Sequence, residues 1–176
     1  MLPHPDNFQF SIFNLIIFNF QLIHTFTHSR IMLLRLTKQF TFEMAHALPD
    51  YQGKCHNIHG HSYKLYVTVE GVNPPAEGSP TNGMVMDFHA IKQLVEDRII
   101  QHFDHALVLP RRDGVADRQN NLGGFDARII WVDFPPTTEN LLVHFAGLLA
   151  GCLPVGTRLY SLKLFETETS CAELIL

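Results

Sequence analysis

Leu36-Thr37-Lys38-Gln39-Phe40-Thr41-Phe42-Glu43-Met44-Ala45-His46 decides the fold. Leu36, Phe40, Phe42, Met44 and His46 share one parity, while Thr37, Gln39, Thr41 and Glu43 share the other. That is the period of a half-buried β-strand, with a histidine continuing the apolar face at its end. A turn-rich stretch from Pro49 to Lys54 leads to Cys55-His56-Asn57-Ile58-His59-Gly60-His61. From His59 the alternation resumes: His59, His61, Tyr63, Leu65, Val67 and Val69 on one face, Ser62, Lys64, Tyr66, Thr68 and Glu70 on the other. Antiparallel pairing of the two strands brings His46 to His59 and His61.

Three imidazoles on adjoining strands make a metal site with one position left open, the arrangement of catalytic rather than structural zinc. Neutral imidazole suits zinc first, though nickel, iron or copper also accept three nitrogens. Cys55, four residues before His59, has two readings. It is a thiol beside the metal, acting as base or nucleophile, or it is a fourth ligand that closes a structural site. His56 reads as a surface histidine.

Outward from this centre the pattern is strand, strand, helix, short strand, helix, strand. Residues 73–83, rich in Pro and Gly, form a loop. Asp87 is an N-cap for a helix to about Phe103, with Phe88, Ile91, Leu94, Val95 and Ile99 as its apolar stripe. Residues 110–124 read as an exposed excursion and 128–134 as a short strand. Pro135-Pro136-Thr137-Thr138 opens a second helix that buries Leu141, Leu142, Phe145, Leu148, Leu149 and Cys152. Residues 157–166 form the last long strand. This predicts one α+β domain, an antiparallel sheet with two helices on one face. Its open edges favour self-association.

Two further groups carry chemistry. In Asp104-His105 a carboxylate adjoins an imidazole, giving either a proton relay near neutral pH or a polar pair at a helix end. Glu166, in Leu164-Phe165-Glu166-Thr167, is either an acceptor for the edge of an amidine-like heterocycle or an ordinary acid at a strand end.

Composition bounds the rest. The chain has 176 residues, 46% hydrophobic and 17% charged, which suits one domain. A formal net charge of -4 gives no reason to expect nucleic acid. Three cysteines in no framework fit a reducing cytosol. Residues 8–27 are rich in Phe and Ile but are interrupted by Asn and Gln, and no Lys or Arg precedes them. A membrane anchor, an extra ordered element and a mis-called start are the three readings. The preferred one starts translation at Met32, leaving 1–31 as an extension and 32–176 as the domain, with no membrane partner.

In order along the chain, Phe42-Glu43-Met44-Ala45-His46, Cys55 three residues before His59-Gly60-His61, Met86-Asp87-Phe88, Asp104-His105, Pro136-Thr137-Thr138-Glu139-Asn140 and Phe165-Glu166-Thr167 resemble the 6-pyruvoyltetrahydropterin synthase superfamily. Within it they are most similar to the bacterial 6-carboxytetrahydropterin synthases of queuosine biosynthesis. The resemblance implies the tunnelling fold, in which trimeric barrels stack into a homohexamer with sites between subunits, in the cytoplasm. It implies zinc on His46, His59 and His61, with Cys55 as the catalytic thiol. Asp104 and His105 become a relay reaching a neighbouring subunit's pocket. Glu166 anchors a pterin ring, helped by Thr137 and Thr138. The implied substrate is 7,8-dihydroneopterin triphosphate. Lys54, Arg111 and Arg112 are candidates for its phosphates from charge alone.

Overall fold

The computed structural model describes residues 32–72, 83–111, 121–122 and 125–176. The three readings of the N-terminal extension, and Arg112, lie outside the described residues. The domain is a six-stranded sheet in the order β6-β3-β1-β2-β7-β8, covered on one face by two helices. Its strands are β1 (Leu33–His46), β2 (His59–Val72), β3 (Ala106–Pro110), β6 (Ile129–Val132), β7 (Thr157–Thr167) and β8 (Ser170–Ile175). A separate antiparallel pair joins β4 (Asn121–Leu122) to β5 (Phe125–Asp126).

The alternation read in the sequence sets the register of the central pair. β1 and β2 run antiparallel without a slip from Leu33 opposite Val72 to His46 opposite His59. A one-residue shift would turn Phe40, Phe42 and Met44 to the wrong face. Instead they join Tyr63, Leu65, Val67 and Val69 in the core.

Helix α1 (Phe88–Val95) starts at Asp87, whose carboxylate accepts the His89 N–H at 2.8 Å. It passes through a π-helical turn (Glu96–Ile100) into a last turn at Gln101–Phe103. Its buried residues Ile91, Val95, Ile99 and Phe103 are spaced by four. In an ideal α-helix each such step overshoots a full turn by about 40°. The wider π turn takes up that drift and keeps all four on the sheet. Phe88, placed on the stripe by the sequence, is instead 49% exposed, because it occupies the first helical position beyond the covered face. Helix α2 (Thr138–Leu149) buries Leu141, Leu142, Phe145 and Leu149. Cys152 lies past its end and is only half-buried.

Two strands and a polarity depart from expectation. β3 lies parallel to β1, and β6 lies parallel to β3. The sheet is therefore mixed rather than antiparallel. Parallel neighbours need a long connection, and between β1 and β3 the chain makes it through β2 and α1. β8 folds back antiparallel on β7 through the turn after Thr167. Among the described residues, no helix is long and apolar enough to cross a membrane.

Candidate metal centre and active site

His46 closes the apolar face of β1, and His59 and His61 open that of β2, so the register alone gathers them. One ring nitrogen from each lies within 4.8 Å of the others. The outer nitrogens are already committed. His46 Nδ1 lies 2.7 Å from the Pro136 carbonyl, and His59 Nδ1 lies 2.9 Å from the Asn57 carbonyl. A carbonyl only accepts, so both Nδ1 atoms carry the proton and both Nε2 atoms present lone pairs. Those two Nε2 atoms face each other at 3.2 Å with no proton to share. The Nε2 of His61 is buried without a hydrogen-bond partner. Two inward lone pairs oriented from behind by carbonyls, with the unpartnered Nε2 of His61 beside them, are the donor set of a metal ion. Burial first of all, and then the neighbouring rings, lower the pKa of His46. Burial likewise lowers that of His61. Both effects favour the neutral form that ligates.

Glu166 on β7 joins this centre. Its Oε1 lies 3.4 Å from His46 Nε2 and 3.7 Å from His61 Nε2. Tyr63 lies beneath it, fully buried, stacked on Phe42 at 5.2 Å between ring centres. Its hydroxyl makes no regular hydrogen bond. Burial chiefly, and then the Glu166 carboxylate, push its pKa far up, so the phenol stays protonated. Cys55 is half-buried in the 3-10 turn Lys54–His56, and its carbonyl accepts the Leu48 N–H at 2.9 Å. It stands outside the three-histidine cluster.

Thr137 is the N-cap of α2, its hydroxyl accepting the Asn140 N–H at 3.4 Å, and Thr138 is buried behind it. The turn they belong to reaches the centre through Pro136, whose carbonyl orients His46. Sequence reasoning missed both orienting carbonyls, since every residue carries one, and it missed Tyr63, which is indistinguishable by pattern from a core aromatic.

Asp104 and His105 are elsewhere. Their side chains meet, Oδ1 to Nδ1, at 2.9 Å. The same Oδ1 accepts the Glu43 N–H at 2.9 Å, and the His105 N–H donates to the Glu43 carbonyl at 2.6 Å. His105 has φ +58, the left-handed region, where a non-glycine residue costs about 1–2 kcal/mol. This conformation directs the imidazole outward, leaving it 78% exposed. It lines a cavity of about 490 Å³ whose wall includes Glu43, Met44, Ala45, Gly60, His61, Ser62 and Arg128. Glu43, Ala45, Gly60 and Ser62 alternate with the buried strand residues and belong to the helix-free face, while the same cavity reaches Met44 and His61 at the strand ends. The fold thus unites His46, His59, His61 and Glu166, with the Thr137 turn alongside, puts Cys55 in the turn that leads into His59, and holds Asp104 and His105 on the opposite face. Of the candidate phosphate ligands, Lys54 is exposed next to Cys55, while Arg111 pairs with Asp133 at 3.0 Å.

Comparison with known proteins bears on this geometry. The model of the 6-pyruvoyl tetrahydropterin synthase family matches residues 35–175. The chain belongs to that enzyme family. It is 31% identical over 145 residues to the 6-carboxy-5,6,7,8-tetrahydropterin synthase of Rickettsia conorii, covering 81% of this chain and 100% of the relative. It is 44% identical over 136 residues to the protein of the same name from Synechocystis, covering 77% and 88%. The human 6-pyruvoyl tetrahydrobiopterin synthase is 36% identical over 121 residues, covering 67% and 68%. Among solved structures, the Caenorhabditis elegans 6-pyruvoyl tetrahydropterin synthase superposes with a TM-score of 0.59 at 22% identity, covering 84% of this chain and 98% of that one. The Plasmodium falciparum protein gives 0.60 at 19%, covering 81% and 96%. These two likenesses show the fold: an α+β domain with a curled mixed sheet and two helices.

Proposed function

We propose that this enzyme converts 7,8-dihydroneopterin triphosphate and water to 6-carboxy-5,6,7,8-tetrahydropterin, acetaldehyde and triphosphate, as a step toward queuosine and related 7-deazapurines. The observation that carries the proposal is the convergence of three inward-facing imidazole nitrogens beside Glu166. The relatives named as 6-carboxytetrahydropterin synthases support the carboxy-forming product.

His46, His59 and His61 would hold zinc, which, when bound, supplies Lewis-acid polarisation of the hydroxyls on the substrate's side chain. Glu166 accepts hydrogen bonds from the amidine-like edge of the pterin, and the Thr137–Thr138 turn lines the ring. Cys55 exchanges protons with the side chain from one side. Asp104 accepts the Nδ1 proton of His105 and so fixes the tautomer that leaves Nε2 free to take and return a proton. Asp104 and His105 occupy the face away from their own triad, so the relay serves the centre of a neighbouring copy. A homohexamer of two stacked trimers, in the cytoplasm, is the assembly proposed.

Incubation of the zinc-loaded protein with 7,8-dihydroneopterin triphosphate, followed by mass spectrometry, tests this. 6-Carboxytetrahydropterin with acetaldehyde is expected. 6-Pyruvoyltetrahydropterin without acetaldehyde would move the chain to the sister activity that the human relative's name describes, with the same residue roles. No turnover from folded, metal-bound protein would refute both.

A further inference from the structure

The turn before α2 is tied down more firmly than a helix start requires. Pro135 and Pro136 have no N–H of their own to fasten it. Instead the Pro135 carbonyl accepts two donors, the Thr137 N–H at 2.8 Å and the Asn140 side-chain Nδ2 at 2.9 Å. With both lone pairs of that carbonyl engaged, the peptide plane before Pro136 is fixed. The next carbonyl, that of Pro136, is buried and receives His46 Nδ1 at 2.7 Å. Asn140 also donates its backbone N–H to Thr137, so one residue clamps the turn at two points.

We propose that Asn140 is a positioning residue for the metal centre: by holding Pro135 it sets the Pro136 carbonyl that orients His46. The inference rests on reading the three histidines as a metal site, but on no particular substrate. Groups that hydrogen-bond a ligating histidine from behind fix its tautomer and ring plane, and their loss costs 10–100-fold in metal affinity. Asn140 acts one step further back, through the backbone, and a loss of about 10-fold is expected. Its side-chain amide donates to the Pro135 carbonyl, not to the triad or Glu166.

The test is zinc affinity of the full chain at pH 7.5, by competition with a chromophoric chelator, beside thermal stability. Asn140→Ala and Asn140→Asp both remove the amide donor, and the second keeps the side chain's size. Each should bind zinc about 10-fold more weakly than the unsubstituted chain. Asp87→Ala removes a cap at the start of α1, away from the triad, and controls for general destabilisation. It should lower the melting temperature and leave zinc affinity within about twofold. Unchanged affinity in both Asn140 variants would overturn the inference, as would an equal loss in Asp87→Ala. An unsubstituted chain without zinc affinity would overturn the metal reading as well, which separates the two failures.

Discussion

Cys55 and the three histidines can be separated at the level of single residues, because the thiol lies outside the nitrogen cluster. Cys55→Ala should lower kcat by about 10²–10⁴, the range of a lost acid–base group, while zinc content is unchanged by metal analysis. Zinc loss in that variant would make Cys55 a fourth ligand and the site structural. The same centre predicts a pH dependence. Burial lowers the pKa of His46 and His61 in the folded chain below the ordinary value of 6.5. The unfolded chain therefore binds more protons as pH falls through 6.5, and stability present above that pH is lost below it. The metal-free protein should melt at lower temperature at pH 5.5 than at pH 7.5. Scanning calorimetry after chelation checks this, and an equal or higher melting temperature at pH 5.5 would contradict it. What the sequence made legible here was residue type at strand spacing. The sequence left Glu166 as either an acceptor for a heterocycle edge or an ordinary acid at a strand end, because its approach to His46 depends on β7 pairing with β2, a long-range contact that no local pattern encodes.

Elements were legible where one face is wet. β1, the first half of β2 and α2 have clean periods, since each buries one side only, while β2 from Val67 to Gly71 is buried on both. Ala106-Leu107-Val108-Leu109 buries both sides and shows no alternation, so β3 was passed over and the parallel pairs with it. β8 was missed for the opposite reason: at the sheet edge its residues are half-buried or exposed, and its pattern is faint. The helix layer and the sheet meet at Phe145, fully buried, 6.3 Å from the Phe42 ring and 4.9 Å from the Phe103 ring. It joins α2 to β1 and to the end of α1. Phe145→Ala should destabilise the fold by about 3–5 kcal/mol, the cost of a large buried aromatic plus the cavity it leaves. Urea unfolding measures it. A loss under about 1 kcal/mol would mean that the two layers collapse onto the space and that their packing does not set the sheet's position.

At the scale of the whole molecule, the two faces of one sheet divide the chemistry. The triad and Glu166 occupy the helix-covered side, and the exposed His105 imidazole lies on the other side, lining a cavity that reaches His61. On the proposed reading, in which Asp104 and His105 serve the centre of a neighbouring copy, activity should require two copies. Cys55→Ala and His105→Ala should each be nearly inactive alone. Co-refolded in equal amounts, they should recover activity, because some sites take Cys55 from one variant and His105 from the other. In a closed ring with one relay passed to each neighbour, random mixing places both intact groups at about one quarter of the sites. Recovery near a quarter of the activity of the unsubstituted protein is the expected result, read after confirming by light scattering that the mixture forms one assembly. A double variant carrying both substitutions, mixed with unsubstituted chain, gives the complementary control: about one quarter of its sites should also be intact, all supplied by unsubstituted neighbours. No recovery from a well-formed mixed assembly would place relay and thiol in the same subunit. The opposite-face geometry of Asp104 and His105 would then have to rearrange before catalysis.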